Sequence, residues 1–311
     1  MRYISKEFLY STVAFLLYMS GFFYFLRLLI TYKPLAYHNV IPDEFYDDSL
    51  HLGVSHASSV FEKQIKVLST FFGKKNIVFT FDDGYLNNHL IVMPILNRFN
   101  IKGLFFVPLV KDEKSEPFWV DKIMYLLSYC KPGLYSFGEI SFQLTDSNRR
   151  HNFSLLYDYI LNNYSQKNKI IAITDDYLKY CNFINNKYYE LRFSFMDCNA
   201  ISEMKDSGHE IGFHSVNHDI YSKLSKEDIL EELTLCKPKL NFFKVKSFAF
   251  PFGGDLEINL RFIKILKQFN IINVYSNVNK RDNPIISRFS LPNTPNKYLI
   301  IFHYIKNVLF L

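Results

Sequence analysis

The sequence predicts an α/β chain built on a parallel sheet or barrel, and three observations carry that expectation. Short apolar runs of single-strand length recur along the chain, stretches of helical period lie between them, and chemistry-bearing residues stand immediately after several of the runs. The runs are Leu35 to Tyr37, Asn76 to Phe81, Gly103 to Val107, Glu210 to Phe213, Ser247 to Phe250 and Ile271 to Tyr275. They are largely apolar rather than alternating, as strands covered on both faces must be. Phe61, Ile65, Leu68 and Phe72, at spacings of four, three and four, mark one helix. A second begins at Ser225, an N-cap with Asp228 three residues on, and carries Ile229 and Leu233 on one face. A third is expected from Leu256 through Leu260 and Ile263. From about 111 to 195 the rhythm breaks into polar-aromatic segments, with Leu155 to Tyr164 and Asp176 to Asn182 reading as helices. This stretch is expected to be a mainly helical insertion on one rim.

At 311 residues, 49% hydrophobic and 21% charged, the chain has ample core, which excludes a disordered linker and a polytopic channel. Its 36 Lys+Arg against 30 Asp+Glu give a net charge of +6, spread with no block of like sign, so no nucleic-acid partner is expected. Cys130, Cys181, Cys198 and Cys236 stand far apart with no C-x-x-C, and four buried thiols are the expectation. Phe8 to Leu26 is nineteen residues without a charge, flanked by Arg2 and Lys6 and by Arg27 and Lys33. Bulky Phe22 to Phe25 oppose a cleavage site, so residues 1–32 are expected to be a retained membrane-associated segment. That segment would either span the bilayer or lie flat on it. The rest, residues 33–311, is expected to be one catalytic domain.

Four pieces carry chemistry. Asn76 to Gly84 places Asp82 and Asp83 side by side after an apolar strand, followed by a glycine that permits a sharp turn. That is the carboxyl end of a strand, where α/β barrels keep catalytic groups. Sharing a cation is one way to keep two adjacent carboxylates ionised. A D-D-G turn that merely leaves a strand has the same spelling. His214-Ser215-Val216-Asn217-His218 follows the next such strand, and two imidazoles four apart can converge on one metal with a carboxylate. A surface loop with two histidines reads alike. Ser215 stands where a zincin has its glutamate, so a general base must come from elsewhere, Asp82 being the obvious source. Phe248 to Gly254 is a strand entering a Pro and Gly turn whose free N–H groups can meet an oxyanion. Tyr37-His38-Asn39-Val40 puts a histidine at the end of the first strand.

Together these pieces resemble the polysaccharide deacetylases, carbohydrate esterase family 4. Thr80 to Tyr85, His214 to His218 and Phe248 to Gly253 reproduce three of its motifs in order, and the resemblance spans roughly Pro34 to Arg288. Phe118-Trp119-Val120-Asp121 and the early Tyr37-His38 look most like the branch acting on envelope polysaccharides and lipid-linked amino sugars. The resemblance implies a distorted (β/α) barrel and a divalent metal, most simply Zn2+ with Co2+, Ni2+ or Mn2+ as alternatives, held by Asp83, His214 and His218. It implies Asp82 as general base and the Phe252 N–H in the oxyanion hole, with Tyr85 and Trp119 near the substrate. Where many members carry an arginine to orient the base, this chain has Ala249, and Arg288 is the candidate substitute. The late Leu-x-His acid motif has only Ile301-Phe302-His303 to offer, in a stretch that reads as helix, so the general acid is assigned to His38.

The expected function is hydrolysis of an N-acetyl group on an amino sugar of the bacterial envelope, or on its polyprenyl-phosphate-linked precursor. The expected place is the bacterial inner membrane, anchored or peripheral through the N-terminal segment. Deformylation of a lipid-linked formamido sugar would use the same metal and base. A non-catalytic carbohydrate-binding relative would have lost Asp82 or a metal ligand, and neither is lost.

Overall fold

The apolar runs supply six of the seven strands of a parallel sheet in the computed structural model, which describes residues 6–46, 55–112, 114–181, 186–278 and 285–310. The amino-terminal part holds α1 (Lys6–Met19), α2 (Phe22–Arg27), β1 (Leu35–Tyr37), β2 (Asn39–Ile41), β3 (Ser55–Ala57) and α3 (Ser58–Phe72). Next come β4 (Phe79–Phe81), α4 (Met93–Arg98) and β5 (Gly103–Val107). The middle holds α5 (Trp119–Tyr129), β6 (Gly133–Phe137), β7 (Ile140–Leu144), α6 (Arg149–Asn162), α7 (Lys167–Leu178) and α8 (Asn186–Phe193). The chain finishes with α9 (Cys198–Asp206), β8 (Glu210–Phe213), α10 (Lys226–Phe242), β9 (Ser247–Ala249), α11 (Ile263–Gln268), β10 (Asn273–Ser276), β11 (Ile285–Ser287) and α12 (Lys297–Phe310).

The sheet order is β1-β4-β5-β8-β9-β10-β11, and every pairing in it is parallel. Just past β11 the chain returns to the first strand: Phe289 bridges Leu35, and the Ala36 N–H donates to the Phe289 carbonyl at 2.9 Å. The sheet therefore curls round towards its own edge as a distorted (β/α) barrel. All residues of β1, β4, β5 and β9 are buried, which is why those segments read as apolar throughout. Phe61, Ile65, Leu68 and Phe72 of α3 are buried against the sheet, and α10 opens with a reciprocal Ser225–Asp228 capping box and buries Ile229 and Leu233.

Several expectations are corrected. Lys74 to Asn76 form a 3-10 turn, so β4 begins at Phe79 and not at Asn76. The third helix starts late: Leu260 to Phe262 form a 3-10 turn, and the α-helix runs only from Ile263. The stretch between β5 and β8 contains helices but also an antiparallel hairpin, β6–β7, whose alternating burial follows the pleat. Of Asp176 to Asn182, the α-helix takes only Asp176 to Leu178, and Asn182 lies outside the described residues. The cysteines are not four separate buried thiols: Cys130 and Cys181 are joined as a disulfide across 51 residues, and Cys198 is exposed. Spacing alone could not show that pairing, because folding brings their Cα atoms to 5.5 Å.

The Phe8 to Leu26 run is broken at Gly21, whose φ of 79° ends the first helix and starts the second. No described helix is long and apolar enough to cross a membrane. Instead α1 and α2 lie against α12 and α3, with Phe15 edge-on to Tyr298 at 5.1 Å, Tyr24 against Phe71 at 4.8 Å, and the Asn296 amide donating to Ser11 Oγ at 2.8 Å. Arg2 lies outside the described residues.

Candidate active site

Strand ends bring the three metal-ligand candidates together. Asp83 follows β4, and His214 and His218 lie on the loop after β8, two strands away across β5. Both imidazole Nε2 atoms stand 3.2 Å from Asp83 Oδ1, and the three ligand atoms lie within 4.8 Å of one another. All three residues are buried, and among the described residues only the two imidazoles approach Asp83 Oδ1, without completing a hydrogen bond to it. Two ligand atoms each about 2 Å from a single tetrahedral ion sit roughly 3.3 Å apart, so the spacing suits a shared cation. Burial pushes the Asp83 carboxyl up, but the two histidines hold it well below the usual carboxylate range, ionised as a ligand must be. These residues fit a divalent ion.

The backbone at this point is bent to aim the ligands. Of the seven non-glycine residues with positive φ among the described residues, four belong to the site: Asp83 (72°), Ser215 (67°), His218 (54°) and Phe252 (62°). Such conformations persist where surrounding structure over-determines them. Gly84 follows Asp83 at φ 67°, where a Cβ would come within 2.7 Å of Pro108 Cδ, so the third residue of the D-D-G motif has to be glycine.

Further contacts hold the histidine loop. His214 Nδ1 faces the Ala249 carbonyl at 2.9 Å, which leaves Nε2 to face Asp83. Glu232 of α10 accepts from Ser215 Oγ at 2.7 Å, from Tyr221 Oη at 2.6 Å and from the Val216 N–H. From the other side, the Trp119 indole N–H donates to the His218 carbonyl at 3.0 Å. Sequence reasoning missed Glu232 because its separation of 16 to 17 residues from the loop carries no motif.

Asp82 is gripped by Arg288, whose guanidinium nitrogens meet its two oxygens at 2.6 and 2.5 Å while a third hydrogen bond reaches Thr80 Oγ1 at 2.9 Å. Arg288 lies just past β11 on the strand segment that closes the barrel, with both partners buried. Burial raises the Asp82 pKa, but Arg288, His214 and His38 outweigh it and hold the carboxyl below its ordinary value. The planar, bidentate fork also fixes the orientation of the Asp82 carboxylate. His38, after β1, places Nε2 3.8 Å from Asp82 Oδ2. Burial lowers the His38 pKa, Asp83 and Asp82 work against that, and the net value stays below the usual histidine range.

His38, Asp83 and His218 open onto a cavity of about 340 Å³, while Asp82 and His214 lie behind its lining. The barrel contributes His38, Asp83, Tyr85, His218, Phe252 and Asn277; the stretch between β5 and β8 contributes Val120, Asp121, Met124, Phe153, Tyr157 and Arg192. The Phe252 ring packs on His218 at 4.5 Å and Tyr157 at 4.9 Å, and its N–H has no hydrogen-bond partner among the described residues. Tyr85 donates to both oxygens of Asp121 at 2.8 Å; burial pushes Asp121 up, Arg192 opposes it, and its pKa is about 6. Trp119 and Arg288 do not line the cavity: Trp119 packs tilted against Phe252 at 5.7 Å, and Arg288 pairs with Asp82. His303 is on α12, against Phe302, and is not brought to the site. Arg192 and Tyr157 carried no sequence signal, whereas Asp121 sits in the Phe118 to Asp121 segment without having been singled out.

A family model described as polysaccharide deacetylase matches residues 155–274, a span that includes both histidines and the Phe252 turn. Among solved structures the chain is similar to IcaB from Ammonifex degensii, at 15% identity over 89% of this chain and 97% of that one, with a TM-score of 0.47. It is also similar to the Streptococcus pyogenes deacetylase PplD in complex with acetate, at 14% identity over 86% and 96%, TM-score 0.47. A de-N-acetylase from Aggregatibacter actinomycetemcomitans shows 16% identity over 84% and 95%, TM-score 0.44. A comparison with curated proteins returns no match. Asp82 and Asp83 lie outside the matched span, and the fold sets Asp83 against both matched histidines, so that the chain is similar to the polysaccharide deacetylases over residues 155–274 and shares their distorted (β/α) barrel.

Proposed function

We propose that the chain hydrolyses the N-acetyl group of an amino sugar with a divalent metal held by Asp83, His214 and His218. The observation that carries this reading is the buried Asp83 Oδ1 standing 3.2 Å from two imidazole nitrogens. When bound there, a Zn2+ ion, or Co2+, Ni2+ or Mn2+, supplies a Lewis acid for the amide oxygen and lowers the pKa of water from 15.7 towards about 7. Asp82, kept ionised by Arg288, removes a proton from the attacking water. The free Phe252 N–H donates to the oxygen that gains charge. His38, on the other side of Asp82, hands a proton to the departing amine, each such transfer contributing typically ~10² to 10⁴ in rate. Acetate leaves and a free amino sugar remains.

We take the sugar to be presented at a membrane, most simply on a polyprenyl phosphate; the apolar faces of α1 and α2 support this reading. The test incubates metal-stripped and zinc-reloaded protein with N-acetylated sugars, free, polymeric and lipid-linked, and follows acetate by mass spectrometry. Acetate release that depends on the metal is expected, fastest on the lipid-linked sugar. A rate untouched by chelation, or acetate from none of the three, sinks the proposal.

A further inference from the structure

A further cavity shares no lining residue with the candidate active site. It measures about 300 Å³ and lies between α1 and α2 on one side and α3 and α12 on the other. Arg27, Lys63, Lys66 and Lys297 line it together with Tyr18 and Tyr24, and no carboxylate does. None of the four cations has an ion pair among the described residues; Glu62, beside Lys63, pairs instead with Arg98 at 3.0 Å. Arg27 is held by donating to the Phe71 carbonyl, and the Lys297 ammonium sits 5.3 Å from the Tyr18 ring centre. Four positive groups around one hollow repel each other, and an anion in the hollow would relieve that repulsion.

The neighbouring surface says which anion. The helices that wall the cavity leave apolar side chains uncovered: Leu28 is 77% exposed, Met19 and Leu29 63%, Leu16 59% and Phe25 58%. Side chains of this size with no cover mark a surface made for an apolar neighbour. Uncovered apolar side chains beside a cluster of cations are the pattern expected of helices that lie in a bilayer interface, with apolar residues among acyl chains and cations level with the headgroups.

We propose that this cavity binds the phosphate of an anionic phospholipid while the apolar residues of α1 and α2 enter one leaflet, so that the protein docks on the membrane without spanning it. This deepens the membrane-presentation part of the proposed function, and it is tested without using the reaction. Full-length protein is floated with phosphatidylcholine vesicles, with and without 30% phosphatidylglycerol, at low and at high salt. The wild type should partition onto the anionic vesicles and bind less at high salt. The variant Lys63→Gln/Lys66→Gln/Lys297→Gln should lose about a hundredfold in partition coefficient, as expected for three cations near an anionic surface. The control Lys237→Gln/Lys264→Gln/Lys267→Gln removes the same charge from exposed positions on α10 and α11 and should bind as wild type. Circular dichroism verifies that both variants fold.

Equal loss in the control overturns the proposal, because net charge alone would then explain binding. So does protection by inorganic phosphate with no vesicle binding, or a dimer that hides the apolar face and ignores vesicles. Vesicle binding without acetate release leaves this proposal standing and removes the catalytic one. Acetate release from soluble sugar without vesicle binding does the reverse.

Discussion

The barrel and the stretch between β5 and β8 share one cavity but are built on different rules. The barrel's core is continuous from α3 through the sheet to α10 and α12, and its reactive groups stand on short segments directly after β1, β4, β8 and the closing strand segment. The stretch between β5 and β8 has a core of its own, with Leu126, Leu127, Leu144, Leu156 and Ile160 inside and the Cys130–Cys181 disulfide tying the end of α5 to the end of α7. The groups that bond, accept or donate protons are thus fixed by the sheet's register. The cavity walls on the other side are held by helices packed on a separate core. Trp119, at the start of α5, is one point where the two meet, since its indole N–H holds the His218 carbonyl.

The widest separation between the two regions should appear at the paired carboxylates. Asp83→Ala is expected to lose stoichiometric metal and all turnover, whereas Asp82→Asn keeps the metal and drops kcat by ~10² to 10⁴. Elemental analysis beside acetate release reads both, and unchanged metal content in Asp83→Ala would remove it from the ligand set.

A smaller but more diagnostic effect is expected from Arg288→Met. The general base must be ionised, and Arg288 lowers the Asp82 pKa, so without it the acid limb of kcat/KM moves to higher pH. The donor must be protonated, and Arg288 also lowers His38, so the alkaline limb, which lies below the usual histidine value in the wild type, moves up as well. Both limbs shifting together is the signature, and a lower kcat with an unmoved profile would refute it. The Arg288–Asp82 grip also stabilises the fold above the ordinary carboxylate pKa, and that contribution is lost as pH falls through the depressed pKa of Asp82. Breaking the pair from one side should cost about 3–5 kcal/mol in a denaturant titration.

On the other side of the comparison, Cys130→Ser/Cys181→Ser should lower stability by about 2–4 kcal/mol while kcat on a small soluble substrate stays near wild type. A collapse of kcat would show that the two regions are less separate than their cores indicate. The smallest effect is expected from Tyr157→Phe, which removes the 2.9 Å hydrogen bond to Glu257 at the cavity wall. A hydrogen bond of this kind is worth about 0.5–1.5 kcal/mol, so KM should rise two- to tenfold with kcat unchanged.

How much of this was legible depended on range. All six apolar runs end within a residue of their observed strands, four of them also begin within one, and the Ser225 cap is where its spacing put it, because strand burial and capping are set by neighbours in the chain. β2, β3 and β11, three residues each, are too short to show a period, and the β6–β7 hairpin alternates in a way that polar-aromatic composition disguised.

The same division runs through the site. Asp82-Asp83-Gly84 and His214 to His218 announce themselves because a strand end, a turn and a ligand pair are local patterns, and a left-handed turn after Asp83 needs glycine wherever the strand lies. That Asp83 meets both histidines was only implied by resemblance; parallel register across β4, β5 and β8 decides it. Arg288 reaches Asp82 across 206 residues because the segment after β11 closes the barrel beside β1, and no spacing encodes that closure. The N-terminal run displays its apolarity in sequence, but its length there counts straight through Gly21. Only the packing of α1 and α2 onto α3 and α12 sets which side chains stay uncovered and which four cations face each other, since exposure belongs to the folded surface and not to the residue.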